Sequence, residues 1–218
     1  MAIRFKICCM QNVDEARLAI EHGASALGFV SAMPSGFGPI SEEKIAEIIA
    51  DVPAGISTFL LTCATDAETI VQQQRRSGAN TLQLVDEVGP GTYAALRDSL
   101  PGVSLVQVIH VTGEESLRQA VAVAPEIDGI LLDSGNPSLK IKELGGTGRV
   151  HDWTISRRIR EAVGVPIYLA GGLRVENVGA AIESVRPFAV DVCTGLRTDG
   201  ALDPVKLGRF VTAVRAAA

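Results

Sequence analysis

Short apolar runs rich in Val, Ile and Leu alternate along the chain with stretches whose apolar positions recur at helical spacing. The runs read as strands at Ile3–Cys8, Ala26–Val30, Ile56–Leu61, Thr81–Leu84, Leu105–His110, Ile127–Leu132, Val165–Ala170 and Phe188–Cys193. The amphipathic stretches read as helices at Val13–His22, Ser41–Ala50, Asp66–Arg76, Thr92–Leu100, Glu114–Val123, Ile155–Val163, Val175–Ser184 and Pro204–Ala216. Asn12 is placed to cap the first helix, and Gly23 and Gly78 to end the first and third. About eight strand–helix units in unbroken alternation fit a (β/α)8 TIM barrel near its lower size limit. The competing α/β fold is a doubly wound open sheet, but no GxGxxG follows the first strand. With no linker, charge block or low-complexity tract, residues 1–218 are expected to form a single barrel domain.

A barrel puts its chemistry at the C-terminal ends of the strands and in the loops that follow. Alternation along the first strand turns Arg4, Lys6 and Cys8 one way, into the barrel, and Ile3, Phe5 and Ile7 toward the helices. Cys8, Gln83, His110, Asp133 and Asp191 then fall at or near one rim. The apolar run from Ile127 stops at Asp133, and an acid at the tip of a buried strand is costly unless it is solvated or used. Three glycine-bearing loops, Gly146-Thr147-Gly148, Gly171-Gly172 and Thr194-Gly195, follow strands six, seven and eight. Glycine lets backbone N–H groups approach an anion closely, and threonine adds a hydroxyl donor, so a phosphate site is expected there. The plainer readings are a small buried hydrophobe at Cys8 and tight turns at the glycines. Zinc held by Cys8, Cys63, Cys193 and His110 lacks any CxxC or HxxxH spacing, so no metal is expected.

Composition narrows the partners. The net charge is -5 and no basic stripe appears, which argues against nucleic acid. An anionic substrate must be held by local features and not by the overall field. The N-terminus lacks a signal-peptide h-region, and no apolar stretch is long enough for a membrane span. Four cysteines in a chain this long read as free thiols in a reducing, cytoplasmic setting.

Several motifs, taken in order, resemble the phosphoribosylanthranilate isomerase family along nearly the whole chain. They are Lys6-Ile7-Cys8, Gly23 to Val30, Leu82-Gln83-Leu84, Leu131-Leu132-Asp133, Gly146-Thr147-Gly148 and Asp152-Trp153. Leu169 to Leu173, Glu176-Asn177-Val178 and Val190-Asp191-Val192 follow. The resemblance implies an Amadori rearrangement of an N-linked ribosylamine phosphate in tryptophan biosynthesis. It also implies Cys8 as general base, Asp133 as general acid, and no cofactor. The sequence departs from the family pattern at five places. Cys9 replaces the usual glycine, and Gln11-Asn12 the usual Thr-containing pair. Val85 stands where a histidine usually follows Gln-Leu, and Arg197 where an acid often follows the strand-eight glycine. The loop from Ser31 to Ile40 also lacks the arginine that receives the anthranilate carboxylate in that family. Arg197 is long enough to be a substitute, with phosphate binding and a solvent-facing position as its alternative readings, and Gln83 and Asp191 are further substrate contacts. A related isomerase with another phosphorylated substrate, and a non-catalytic phosphosugar-binding barrel, stand as alternatives. A pure binding barrel would need neither Cys8 nor Asp133.

Overall fold

The computed structural model describes residues 3–34, 36–135 and 150–217. Eight parallel strands close into a barrel, each bonded to the next in chain order and the last to the first. They are β1 (Arg4–Ile7), β2 (Ala26–Val30), β3 (Ser57–Thr62), β4 (Thr81–Leu84), β5 (Ser104–His110), β6 (Gly129–Asp133), β7 (Ile167–Leu169) and β8 (Ala189–Val192). Eight helices follow them: α1 (Val13–Glu21), α2 (Glu42–Ile49), α3 (Ala67–Ser77), α4 (Thr92–Ser99), α5 (Glu114–Val123), α6 (Trp153–Ala162), α7 (Val178–Val185) and α8 (Pro204–Ala216). The helices start where polar side chains satisfy free backbone donors. Asn12 accepts from Glu15 N, Ser41 from Lys44 N, Asp66 from Thr69 N, and Asp203 from Val205 N and Lys206 N.

Two boundaries differ from the pattern-based reading in ways that bear on function. β6 runs through Asp133, whose backbone carbonyl accepts from Val111 N at 2.8 Å. The acid is therefore fixed by the ladder and does not hang in the loop. α7 starts at Val178 and not at Val175, because Asn177 folds the preceding segment into a turn. Its side chain accepts from Arg174 N at 2.8 Å and donates to Gly172 O at 3.0 Å. Two strands were too short for a periodic signal: β9 (Arg197–Thr198) and β10 (Ala201–Leu202), an antiparallel hairpin before α8.

The core has two layers, as strand alternation requires. Phe5, Ile7, Phe29, Leu60, Ile109 and Leu132 face the helices. Cys8, Val30, Phe59, Leu61, Val108 and Leu131 fill the barrel. The lower interior is closed by a stack. The Arg4 guanidinium lies 4.6 Å from the Phe188 ring centroid, and Tyr168 meets both Phe188 and Phe59 edge-on at 5.5 Å. Lys6 Nζ lies 5.3 Å from the Phe59 centroid. This leaves the C-terminal mouth as the open end of the interior.

Candidate active site

The first strand supplies the central groups. Lys6 and Cys8 project inward from β1 and its end, and both are buried. Lys6 Nζ donates to Asp191 Oδ1 of β8 at 2.9 Å. Burial pulls the ammonium pKa down, but Asp191 and Cys8 together hold it above its ordinary value. Room for this pair comes from Gly28 on β2. A Cβ there would lie 2.7 Å from Cys8 Sγ and 2.9 Å from Lys6 Nζ.

Cys8 and Asp133 are pushed in opposite directions. A hydrogen bond from Cys9 and the charge of Lys6 hold the Cys8 thiol below its ordinary value, against burial and the charge of Asp191. Burial pushes the Asp133 carboxyl up, and His110 with the backbone N–H groups of Ser134 and Gly135 offsets this only in part. Cys9 itself is pushed up by its contacts with Cys193 and Cys8 and by burial, so it stays a thiol and a donor. A thiol made more acidic and a carboxyl made less acidic are the pair that proton abstraction and proton donation require at neutral pH.

Cys8, Gln83, Asp133, Gly171, Gly172, Asp191 and Thr194 line one cavity at the barrel mouth. Gln83 reaches it with a buried Oε1 that has no hydrogen-bond partner among the described residues. Gly171 and Gly172 take left-handed φ values of 80° and 61°, which glycine adopts without strain. Gly195 does not line the cavity. It packs beneath it, where a Cβ would lie 2.3 Å from Leu173 O, and so joins the loops after β7 and β8. Gly146, Thr147 and Gly148 lie outside the described residues.

Arg197 corrects the sequence-based expectation. Its side chain is buried and turned toward the first loop. Nη1 donates to Glu15 Oε1 at 2.9 Å and to Gly200 O at 2.8 Å, and Nη2 to Glu15 Oε2 at 3.0 Å and to Cys9 O. Phe37 covers the guanidinium at 4.8 Å. Both terminal nitrogens are engaged on these partners and the remaining Nε–H is buried, with no partner among the described residues, so the terminal fork is not free for a substrate carboxylate. The physical reason is Glu15, a buried acid on α1 that needs a counter-charge.

Three departures in the sequence meet in this region. Cys9 has φ +66°, a conformation that favours glycine. Its carbonyl accepts from both Arg197 and Gln11 Nε2, the latter at 3.2 Å. The unusual residues at 9, 11 and 197 are thus one constellation, two donors holding a left-handed cysteine. The fourth departure has a neighbour of its own: the Val85 carbonyl is paired with His110 Nε2 at 3.1 Å. Sequence reasoning missed the roles of Lys6, Gly28, Cys9 and Asn177. Lys6 had a usable signal in the alternation that placed it on the face of Cys8, whereas Gly28, Cys9 and Asn177 stood out only against the family motifs. Met33, Phe37 and Leu61 add an apolar wall to the cavity.

A closed β/α barrel with a thiol and a carboxyl at its C-terminal mouth has the form of an acid–base enzyme. Comparison with known proteins makes this specific. A sequence model of the N-(5'-phosphoribosyl)anthranilate (PRA) isomerase family matches residues 5–213. N-(5'-phosphoribosyl)anthranilate isomerase 2 of Methanosarcina mazei is 33% identical over 211 residues, covering 96% of this chain and 92% of that protein. The crystal structure of phosphoribosyl anthranilate isomerase from Thermotoga maritima superposes with a TM-score of 0.82 at 29% identity, covering 98% and 99% of the two chains. A phosphoribosyl anthranilate isomerase solved in complex with reduced 1-(o-carboxyphenylamino)-1-deoxyribulose 5-phosphate gives 0.79 at 27% identity, with the same coverage. The chain belongs to the phosphoribosylanthranilate isomerase family.

Proposed function

We propose that Cys8 and Asp133 are the base and the acid of the family reaction, the isomerisation of N-(5'-phosphoribosyl)anthranilate in tryptophan biosynthesis. The observation that carries this reading is their shared cavity, in which the environment lowers one pKa and raises the other. Asp133 donates a proton to the ribose ring oxygen, the C1–O bond breaks, and the ring opens to a protonated imine. The Cys8 thiolate takes the proton from C2, giving an enolamine. That species gains a proton at C1, loses one from the C2 hydroxyl, and becomes the ketone. C1 is reduced and C2 oxidised within one molecule, so the class is an intramolecular oxidoreductase of the aldose–ketose type. No external electron carrier enters this balance. Asp133 ends one proton short and Cys8 one proton richer, and exchange with solvent resets both.

The substrate phosphate belongs at Gly171, Gly172 and Thr194 in this reading. Left-handed glycines turn backbone N–H groups toward an anion, and Asn177 fixes the Gly172 carbonyl away from it. The aglycone then lies against Met33, Phe37 and Leu61. Gln83 offers it a buried acceptor. Free cysteines suit a cytoplasmic setting.

The test is turnover of phosphoribosylanthranilate by Cys8→Ser and Asp133→Asn. Each should fall by about 10²–10⁴-fold, with the circular dichroism spectrum of the parent. Near-parental turnover in either variant removes that residue from the mechanism.

A further inference from the structure

His110 has no part in the chemistry above, yet its ring is placed with unusual definition. It sits at the end of β5, and the β5–β6 register pairs it directly with Asp133. Nε2 lies 3.1 Å from Val85 O. A carbonyl only accepts, so Nε2 carries the hydrogen. The other nitrogen, Nδ1, is buried with no hydrogen-bond partner among the described residues. It faces Asp133 Oδ2 at 3.9 Å. Two features therefore act together. The tautomer is fixed from outside, and the free nitrogen is aimed at the carboxyl that gives up the proton.

A carboxylate formed by proton transfer at this depth is expensive unless a counter-charge appears with it. Lys6 does not supply one, because its ammonium is bonded to Asp191. Among the described residues, Nδ1 is the titratable nitrogen within 4 Å of the Asp133 carboxyl. We propose that His110 is the positioning residue of the acid, taking a proton on Nδ1 as Asp133 gives its own to the substrate. This rests on the reading of Asp133 as the acid. The separation is about 1 Å longer than a hydrogen bond, a gap closed by a small side-chain turn or one water. The protons balance. Solvent gives one to Nδ1, and the imidazolium passes it to Asp133 Oδ2 as product leaves. The ring ends neutral and the carboxyl is reloaded.

The groups that can perturb this couple are few. β6 presents Asp133, while β1 and β8 present Lys6, Cys8 and Asp191 across the mouth. Asp86 and Glu87 follow β4, and Glu114 and Glu115 open α5, paired with Arg158 and Arg118. Ser116 of α5 donates to His110 O at 3.0 Å and touches the backbone only.

The protein has three histidines, so ring resonances can be followed singly by NMR and His110 assigned by its loss in a variant. In Asp133→Asn, the His110 ring resonances should move more than those of His22 and His151, because Nδ1 loses the carboxyl it faces. His110→Gln keeps an amide donor for Val85 O but cannot take a proton. A purely structural role would survive this change. The proposal expects kcat about tenfold lower, KM within about twofold of the parent, and a basic limb of the pH profile moved to lower pH, since a coupled pair holds its last proton more tightly than either site alone. Unchanged His110 ring resonances in Asp133→Asn overturn the couple. So does His110→Gln with the parental kcat and pH profile, or with its loss confined to KM. Full turnover by Asp133→Asn would instead sink the acid reading, while the His110 ring resonances still report on the couple.

Discussion

At the scale of single residues, the most exacting position is a glycine. Gly28 stands opposite Cys8 and Lys6 with no space for one more carbon. Gly28→Ala must displace the thiol or the ammonium, both held by other contacts. Overpacking of this kind costs about 1–3 kcal/mol. The variant should show a lower urea midpoint and a fall in kcat larger than any change in KM, because the thiol is the proposed base and Lys6 lies beside it. A parental kcat would show that Cys8 has slack. Gly28 falls within the Gly23 to Val30 motif, but the sequence does not show what it does there, since it sits in an apolar strand like any other small residue. What makes it matter is which side chains it meets across the sheet, and register between strands is not written in either strand alone. Cys8 and Asp133 were legible because each ends an apolar run and each falls in a recognisable motif. Arg197 was misread for the reverse reason. A rim arginine looks free until the buried acid 182 positions away is seen beside it.

At the scale of elements, the β9–β10 hairpin and the start of α1 form one unit through the Arg197–Glu15 pair. Glu15 also accepts from Gln11 N at 3.2 Å and Leu202 N at 3.0 Å, so it ties three segments together. Arg197→Met leaves a buried carboxylate without its cation, a loss of about 3–5 kcal/mol. It also frees the Cys9 carbonyl, whose left-handed residue carries about 1–3 kcal/mol of strain. We expect a large drop in urea midpoint, with partial recovery in the Arg197→Met, Glu15→Gln double variant. In the folded fraction kcat should fall and KM hold, the opposite of what a carboxylate-reading arginine would show. Strands and helices of this barrel were legible to within a few residues because the alternation of runs is strong. The hairpin was not, since two-residue strands carry no period. The start of α7 was missed because Asn177 acts through a turn, which hydrophobic spacing does not record.

At the scale of the whole molecule, acid stability turns on a histidine behind the mouth. His151 is half-buried with Nε2 2.7 Å from Ser156 Oγ, and desolvation pushes its pKa down to about 4. The folded value lies below the ordinary 6.5, so the native state binds fewer protons between the two. Its stabilising neutrality is present above about pH 6.5 and lost as pH falls toward 4, amounting to about 3 kcal/mol. His151→Gln should flatten this part of the curve: urea midpoints of parent and variant should diverge less at pH 4.5 than at pH 7. Equal differences at both values would place the acid sensitivity elsewhere.

The closed floor of the barrel has a separate consequence. Lys6 is wholly buried, above a stack of aromatic rings and against Asp191. Dissolved ions screen charges they can approach, over a distance of about 8 Å at physiological strength, and they cannot enter here. The hydrogen bond from Cys9, the larger cause of the lowered Cys8 pKa, is local, and the Lys6 charge that adds to it is insulated from the medium. Ionic strength can alter how an anionic substrate arrives, but it leaves the reactivity of the thiol unchanged, as if the base worked at one fixed salinity whatever surrounds the protein.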